Sequence, residues 1–316
     1  MRRLTLADTD ELRATPGATV VLFLTDRCPV GCAHCSVASR PDGPSITDRE
    51  LFVELVAGIA ATEEVRAVAV TGGEPFAERF GLRHAVRALS EAGKDVVLFT
   101  SGYWASAGPP RPWVRSVLRS VSTVFLSVDG FHLPFVDRDR VRSAMTAIRD
   151  ADCHLILQTL GEPDPALAGD SAEVNVITPI PQGRGREVFR AHPYRPLVDL
   201  GPCPLVKSPT VRYDGTVTAC CDEAVIMGAG PSGLRTTVRS RAEVPDALRA
   251  FRHAPLLRVI GSHGPRALVS LLGAGSTYRN VCGACWRAHR IVERSPLAER
   301  LVTAVAALPR GGRRAS

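Results

Sequence analysis

Six apolar runs of strand length alternate with longer stretches of helical period through residues 19–178, and this alternation restricts the chain to a parallel α/β sheet. The strands are expected at Thr19 to Thr25, Val65 to Thr71, Asp95 to Thr100, Thr123 to Val128, His154 to Leu160 and Glu173 to Thr178. Helices are expected over Thr47 to Ala61, Arg79 to Ala92, Pro112 to Val121 and Arg138 to Asp150. Thr47, with Glu50 three residues on, is expected to cap the first of these helices. Pro112 suits the first turn of the third, where its missing N–H costs nothing. The fifth connection, GEPDPALAGDSA, is too short and broken for a long helix. Six strands joined in this way make a partial barrel, and ligands gather at the carboxyl ends of such strands, where loops are free to vary.

Residues suited to chemistry stand at those ends. Cys28, Cys32 and Cys35 follow the first run in VVLFLTDRCPVGCAHCS. Three thiolates so close form a ligand set with one ligand missing. A four-iron, four-sulfur cluster needs one ligand per iron, so three cysteines leave one iron open to a ligand that is not protein. A structural zinc knuckle is the bland alternative, although such sites close with four ligands in a compact module. Gly72, Gly73, Glu74 and Pro75 end the second run, and Thr100-Ser101-Gly102 ends the third. Ser127 to His132 ends the fourth, and Pro179 to Arg186 (PIPQGRGR) follows the sixth. Turn chemistry alone puts Gly, Asp and Pro at strand ends. Their register with the cysteine triplet is what gives them weight.

From Thr25 onward the chain resembles the radical S-adenosylmethionine (radical SAM) superfamily, through the Cys-x3-Cys-x2-Cys spacing and the GGEP element. The resemblance implies a partial (β/α)6 TIM-like barrel, here taken as residues 1–186. It implies a [4Fe-4S] cluster whose open iron is chelated by the amino and carboxylate groups of S-adenosyl-L-methionine. One-electron cleavage of that cofactor gives a 5'-deoxyadenosyl radical, which abstracts a hydrogen atom from an unactivated carbon. By the same resemblance Gly72, Gly73 and Glu74, closed by Pro75, contact the methionine amino group. Ser127 and Asp129 are then placed for the ribose hydroxyls, Thr100, Ser101 and Gln158 line the pocket, and His34 helps frame the adenine.

A second cysteine set follows. Cys203 and Cys220 enclose PLVKSPTVRYDGTVTA, in which Tyr213-Asp214-Gly215-Thr216 reads as a hairpin turn, and Cys282 and Cys285 form a Cys-x2-Cys pair. The arrangement resembles the twitch module, a shortened SPASM domain, which implies a second [4Fe-4S] cluster on Cys203, Cys220, Cys282 and Cys285 within residues 187–300. Four thiolates in two pairs also suit tetrahedral zinc, and pair spacing does not separate iron from zinc. Cys220 and Cys221 are consecutive, so their side chains should point to opposite faces of a strand. The position of Gly215 favours Cys220 as the ligand. Cys221 is then either a free thiol able to give a hydrogen atom to a substrate radical, as epimerases of this family do, or a small buried hydrophobe. Cys153 reads as structural.

Val225 to Leu234 (VIMGAGPSGL) matches the GxGxxG phosphate loop of flavin and nicotinamide proteins. That motif has force only inside a strand–helix–strand unit with an acidic residue some twenty positions on. Here Val244 to Ile260 reads as helix and Glu243 comes early, so a glycine-rich loop is the better account.

Lys and Arg exceed Asp and Glu by 39 to 32, giving a net charge of +7. From Trp286 to Ser316 seven Arg stand against two Glu, and residues 301–316, ending RGGRRAS, read as a solvated basic tail. Such a tail attracts nucleic acid, but no aromatic residues interleave with the charges, so nucleic acid is not the expected partner. Nine cysteines without a signal peptide suit a reducing cytosol, and no apolar run reaches the length of a membrane span. A cytoplasmic protein is expected.

The expected function is a radical SAM, oxidoreductase-like enzyme with one auxiliary cluster and an electron donor such as flavodoxin or ferredoxin. Oxidation, epimerisation and crosslinking remain open, on a small molecule resembling a sugar or aminocyclitol, or on a peptide, in natural-product biosynthesis. Only about twenty residues precede the first strand, which leaves no peptide-recognition domain and leans toward the small molecule. Tyr103, Trp104 and His132 are candidate substrate contacts, with plain packing as the alternative. Arg184, Arg186 and Arg190 form a candidate rim for phosphate or carboxylate groups. Modification of RNA, supported by the tail alone, and a non-catalytic zinc-binding protein are the alternative functions.

Overall fold

The computed structural model describes residues 2–168 and 173–308. In chain order it begins α1 (Leu6–Ala14), β1 (Thr19–Phe23), α2 (Arg49–Ala61), β2 (Ala67–Thr71), α3 (Arg79–Glu91), β3 (Asp95–Thr100), α4 (Pro112–Leu118), β4 (Thr123–Ser127), α5 (Arg138–Asp150), β5 (His154–Leu160), α6 (Pro165–Ala168) and β6 (Glu173–Ile177). It continues through α7 (Gly185–Val188), β7 (Arg195–Pro196), β8 (Thr210–Arg212), β9 (Thr216–Thr218), α8 (Glu223–Ile226), β10 (Arg235–Thr237), α9 (Glu243–His253), α10 (Pro255–Ser262), α11 (Val269–Leu272), β11 (Thr277–Tyr278), α12 (Val281–Val292) and α13 (Pro296–Ala306).

Among the described residues the main sheet runs β10-β9-β8-β1-β2-β3-β4-β5-β6. β1 to β6 pair in parallel with their sequence neighbours, and β8 joins β1 in parallel. β9 and β10 complete an antiparallel edge, so the architecture is α/β with a mostly parallel central sheet. β1 to β4 are largely apolar on the face that meets the helices, as burial there requires. Val20, Leu22, Val68, Val70, Val96, Leu98, Val124 and Leu126 are buried in the same core as Phe52, Leu55 and Ile59 of α2, Leu82 and Leu89 of α3, and Val141 and Ile148 of α5. Burying one such side chain fully contributes about 1.5–3 kcal/mol. Residues two apart on the opposite face, such as Ala67, Ala69 and Thr71 of β2, line a cavity, and their small size leaves it open.

Helix α1 was not expected from the apolar pattern. Thr5 and Asp8 cap it reciprocally: the Thr5 hydroxyl accepts from the Asp8 N–H at 3.2 Å, and the Thr5 N–H donates to the Asp8 carboxylate at 2.9 Å. The cap carries Leu4 and Leu12 into a cluster with Ala18, Ala67, Val97, Phe125 and Ile156. That cluster floors the cavity. Helix α2 starts at Arg49, and Asp48 rather than Thr47 caps it by accepting from the Leu51 N–H at 2.9 Å. A carboxylate adds a favourable charge to the helix start, which a hydroxyl does not. The helix expected over Val244 to Ile260 is two helices, because Pro255 lacks an N–H and opens α10 at its first turn. Residues 225–234 belong to no parallel strand–helix–strand unit: the flanking β9 and β10 are antiparallel, α8 is one turn ending at Ile226, and a loop with positive-φ Gly228 and Gly230 follows.

A second core gathers Leu197, Leu200, Leu256, Val259, Ile260, Leu268, Ala284, Ala288 and Val302, joining α10, α12 and α13. The segment expected as a tail from residue 301 is helical to Ala306, with Val302 and Ala306 buried, and residues 309–316 lie outside the described residues. Residues 169–172 of the fifth connection also lie outside them, while α6 is the short helix that the connection allows. No helix among the described residues is long and apolar enough to cross a membrane.

One buried ion pair ties the end of β1 to the hairpin. Arg212 Nη2 donates to Asp26 Oδ2 at 2.8 Å, and the Tyr213 hydroxyl donates to the same oxygen at 2.7 Å. The Arg212 guanidinium also lies 4.9 Å from the Phe23 ring centroid. Both charged side chains are about nine-tenths buried, at 9% and 10% exposure. Removing one partner leaves a buried charge unpaired. Arg212→Ala should therefore lower stability by about 3 kcal/mol, and urea denaturation that gives wild-type stability would contradict this role.

Candidate functional site

The carboxyl ends of β1 to β6 meet at a cavity of ≈ 520 Å³. The loop after β1 brings Cys28, Cys32 and Cys35 to its wall. The Cys28 N–H donates to the Arg40 carbonyl at 2.8 Å, and the Cys35 N–H donates to the Cys32 carbonyl at 3.3 Å. Burial pushes the Cys28 thiol up to about 12, with the Glu74 charge adding to the shift. A thiol so desolvated loses its proton readily only to a cation that takes the proton's place. Three thiols on one wall fit the donor set of a cluster with one open iron.

The GGEP element is laced to this loop. The Gly73 N–H donates to the Thr25 carbonyl at 2.6 Å and the Glu74 N–H to the Arg27 carbonyl at 2.8 Å. A Cβ on Gly72 would lie 2.6 Å from the Thr25 carbonyl oxygen, and one on Gly73 would lie 2.3 Å from that of Arg27. Only glycine permits such an approach. Glu74 is buried, and its carboxylate accepts from Thr100 Oγ1 at 2.8 Å, Ser101 Oγ at 2.6 Å, the Ser101 N–H at 2.9 Å and the Phe76 N–H at 3.1 Å. Four donors occupy it, and neither Glu74 nor Pro75 lines the cavity. Gly72, Gly73, Thr100 and Ser101 do.

Farther round the wall, Ser127, Gln158 and Asn175 are paired in register across β4, β5 and β6. Asn175 Nδ2 donates to Gln158 Oε1 at 3.2 Å. Asp129 accepts from the Phe131 N–H at 2.9 Å and contacts His132 Nδ1 at 3.0 Å. Burial pushes the Asp129 carboxyl up, but His132 and the Phe131 N–H more than offset it, leaving it below the ordinary carboxylate range. Burial likewise lowers His132, yet hydrogen bonds to Asp129 and Cys32 raise it to about 10, so the pair is ionic at neutral pH. His34 faces the cavity with its ring 4.7 Å from that of Phe131. Burial, then His132, hold His34 below its usual range.

Not every expected residue reaches this wall. Tyr103 is 44% exposed and outside the cavity. Trp104 packs against Phe76 at 4.9 Å, and its indole N–H donates to Thr100 Oγ1 at 3.2 Å, which is a packing role. Arg184 turns inward to the Cys32 carbonyl, whereas Arg186 and Arg190 are exposed. Conversely, Asp10 and Arg13 of α1 and Glu223 of α8 line the cavity and were not anticipated. Burial raises the Glu223 carboxyl to about 7. Period-two alternation was the available signal. Cys221 and Glu223 line this cavity, while Cys220 and Asp222 line another.

That second cavity gathers Cys203, Cys220, Cys282 and Cys285 with Asp222, walled by Leu205, Val206, Val225 and Trp286. Asn280 caps α12 by accepting from the Gly283 N–H at 3.0 Å, and Cys282 and Cys285 follow one turn apart on the same face. Burial pushes all four thiols up, Cys285 to about 12, with Asp222 and the neighbouring thiols adding to it. Cys282 Sγ donates to Asp222 Oδ2 at 3.2 Å. Four thiols gathered in one pocket, each held protonated by burial until a cation replaces the proton, fit a multiply charged metal centre. Cys153 lies apart in the core, its thiol donating to the Leu118 carbonyl at 2.8 Å. Cys221 is pushed up to about 12 by burial, so it is a neutral thiol at pH 7.

Glu74→Ala would leave the Thr100 and Ser101 donors without their acceptor. A loss of about 2–3 kcal/mol is expected, read by urea denaturation, and an unaltered midpoint would show that Glu74 is not the latch between β2 and β3.

Residues 22–165 match the family model described as the Radical SAM superfamily. A Bacillus subtilis (strain 168) protein named for peptide biosynthesis, YydG, is 25% identical over 129 residues, which are 40% of this chain and 40% of that protein. The chain therefore matches less than half the length of that curated relative. Among solved structures, BtrN in complex with AdoMet and 2-DOIA superposes with a TM-score of 0.44 at 10% identity, covering 78% of this chain and 88% of that one. Streptococcus suis SuiB bound to S-adenosylmethionine gives a TM-score of 0.44 at 12% identity, covering 81% and 70%. The cysteine triplet and GGEP both lie inside the span, residues 22–165, that matches the Radical SAM superfamily model.

Proposed function

We propose that this chain is a radical SAM enzyme that epimerises a residue of a peptide, with Cys221 returning the hydrogen atom. The observation that carries the reading is the placement of Cys221 in the same cavity as Cys28, Cys32 and Cys35, while its neighbour Cys220 faces the other way. Cys28, Cys32 and Cys35 would hold a [4Fe-4S] cluster. Gly72, Gly73, Thr100, Ser101, Ser127, Asp129, Gln158 and His34 line the part of the cavity where S-adenosyl-L-methionine would lie. When bound, the two supply one-electron cleavage and a radical able to take hydrogen from carbon. The six parallel strands are then the partial barrel of the superfamily, curved round the cavity that one face of each strand lines.

The chain's own residues do the rest. α1 floors the cavity with Leu6, Thr9 and Leu12, and Leu205, Ile226 and Cys221 wall its side, so the surface beside the reacting carbon is largely apolar. Burial keeps the Cys221 sulfur protonated, and an S–H bond is what a hydrogen-atom donor must present. Its hydrogen forms the new C–H bond and leaves a sulfur-centred radical. One electron from a ferredoxin- or flavodoxin-type donor and one proton restore the thiol. The four thiols of the second cavity support an auxiliary cluster, and residues 187–300 a twitch-like module, because their chemistry and dryness suit one metal centre. A peptide is preferred as substrate on the naming of YydG. Two-electron oxidation is a second reading, favoured by that same four-thiol cavity as an electron acceptor.

Under oxygen-free reducing conditions Cys32→Ala should abolish formation of 5'-deoxyadenosine, measured by chromatography, and undiminished formation would refute the assignment. Cys221→Ala should keep that cleavage while ending deuterium uptake from D2O into the product. A product two mass units lighter, with or without Cys221, would point to oxidation instead.

A further inference from the structure

The segment after β6 grips the first thiol loop from behind. The Arg184 N–H donates to the Cys35 carbonyl at 3.0 Å. Its side chain donates through Nε to the Cys32 carbonyl at 3.0 Å and through Nη1 to the Ser39 carbonyl at 2.7 Å. One residue therefore holds three carbonyls of a loop that has no helix or strand of its own. Close approach is built into the backbone on either side. Gly183 has φ +54, and a Cβ there would lie 2.5 Å from the Cys35 carbonyl oxygen, while one on Gly185 would lie 2.9 Å from that of His34. Gln182 extends the grip, donating to Asp222 Oδ2 at 3.5 Å beside the four-thiol cavity. Around this contact several buried polar atoms have no partner among the described residues: Arg184 Nη2, Ser39 Oγ, His34 Nδ1 and Gln182 Oε1. The guanidinium thus brings a full positive charge, not used up by any carboxylate, against the backbone that carries Cys32 and Cys35.

We infer that Arg184 is a positioning residue for the first metal site, which shapes the Cys32–Cys35 backbone and sets the reduction potential of the cluster held there. The inference rests on the functional reading above. Its physical basis is that a fixed cation near an iron–sulfur cluster stabilises the electron added on reduction, and that backbone held by hydrogen bonds retains metal better than backbone left free. A planar guanidinium spans two carbonyls at once, which an ammonium on a flexible stem does not.

The test uses the full chain reconstituted with iron and sulfide without oxygen, comparing wild type with Arg184→Met and Arg184→Lys. The electron paramagnetic resonance signal that disappears in Cys32→Ala identifies the first site. Arg184→Met should lower the midpoint potential of that signal and speed iron loss to a chelator by about tenfold. Arg184→Lys should return the potential toward wild type but not the retention, since it keeps the charge and loses the fork. A wild-type potential in Arg184→Met overturns the inference, even if iron is lost faster, because that loss alone would mean a merely structural contact. Failure of wild type to take up any iron overturns the functional reading and this inference with it. A wild-type cluster unaffected by Arg184→Met overturns this inference alone.

Discussion

The loop that carries Cys28, Cys32 and Cys35 contains no regular hydrogen-bond ladder, so its shape depends on backbone groups lent by other parts of the chain. Gly73 and Glu74 pin the residues leading into it, Arg40 holds the Cys28 N–H, and Arg184 holds the carbonyls of Cys32, Cys35 and Ser39. Gly73 and Glu74 follow the end of β2 and Arg184 directly precedes α7, whereas Arg40 belongs to the same loop and bridges back to Arg27. A loop secured in this way has fewer backbone conformations left to lose when it binds a ligand.

Alternation of side chains along extended backbone distributes chemistry between two cavities. On β1 to β4 one set of residues meets the helices and the other lines the cavity, and the small Ala67 and Ala69 keep it from filling. Past the hairpin, between the end of β9 and the start of α8, the side chains are also divided between two spaces. Cys220 and Asp222 face the four-thiol pocket, and Cys221 and Glu223 face the larger one. Four consecutive residues thus separate two kinds of site by a single backbone segment. The Asp26–Arg212–Tyr213 cluster keeps that segment against the end of β1, so the thiols of one cavity remain in register with those of the other.

Much of this organisation can be read along the chain. β3 and β5 begin and end where the apolar runs do, and α5 runs from Arg138 to Asp150 as its period requires. Departures have local causes: Asp48 outcompetes Thr47 as a cap, and Pro255 divides a helix that apolar spacing alone would join. Helix α1 escapes the apolar pattern because its face is short, although Thr5 and Asp8 mark its start. The positions of Cys221 and Glu223 follow from alternation once Cys220 is assigned. Glu74 shows the opposite case. Its place in a family motif suggests a ligand contact, whereas four protein donors occupy its carboxylate.

What the sequence alone determined is the order of the six parallel strands and of the helices between the first five, because periodicity and caps are properties of neighbouring residues. Only the tertiary structure decided which distant groups share a space: Asp10 and Arg13 with the cysteine triplet, Trp104 with the core and Arg184 behind Cys32. Those pairings span separations at which no local pattern acts. They arise where the burial of apolar faces and the pairing of buried polar groups are satisfied together.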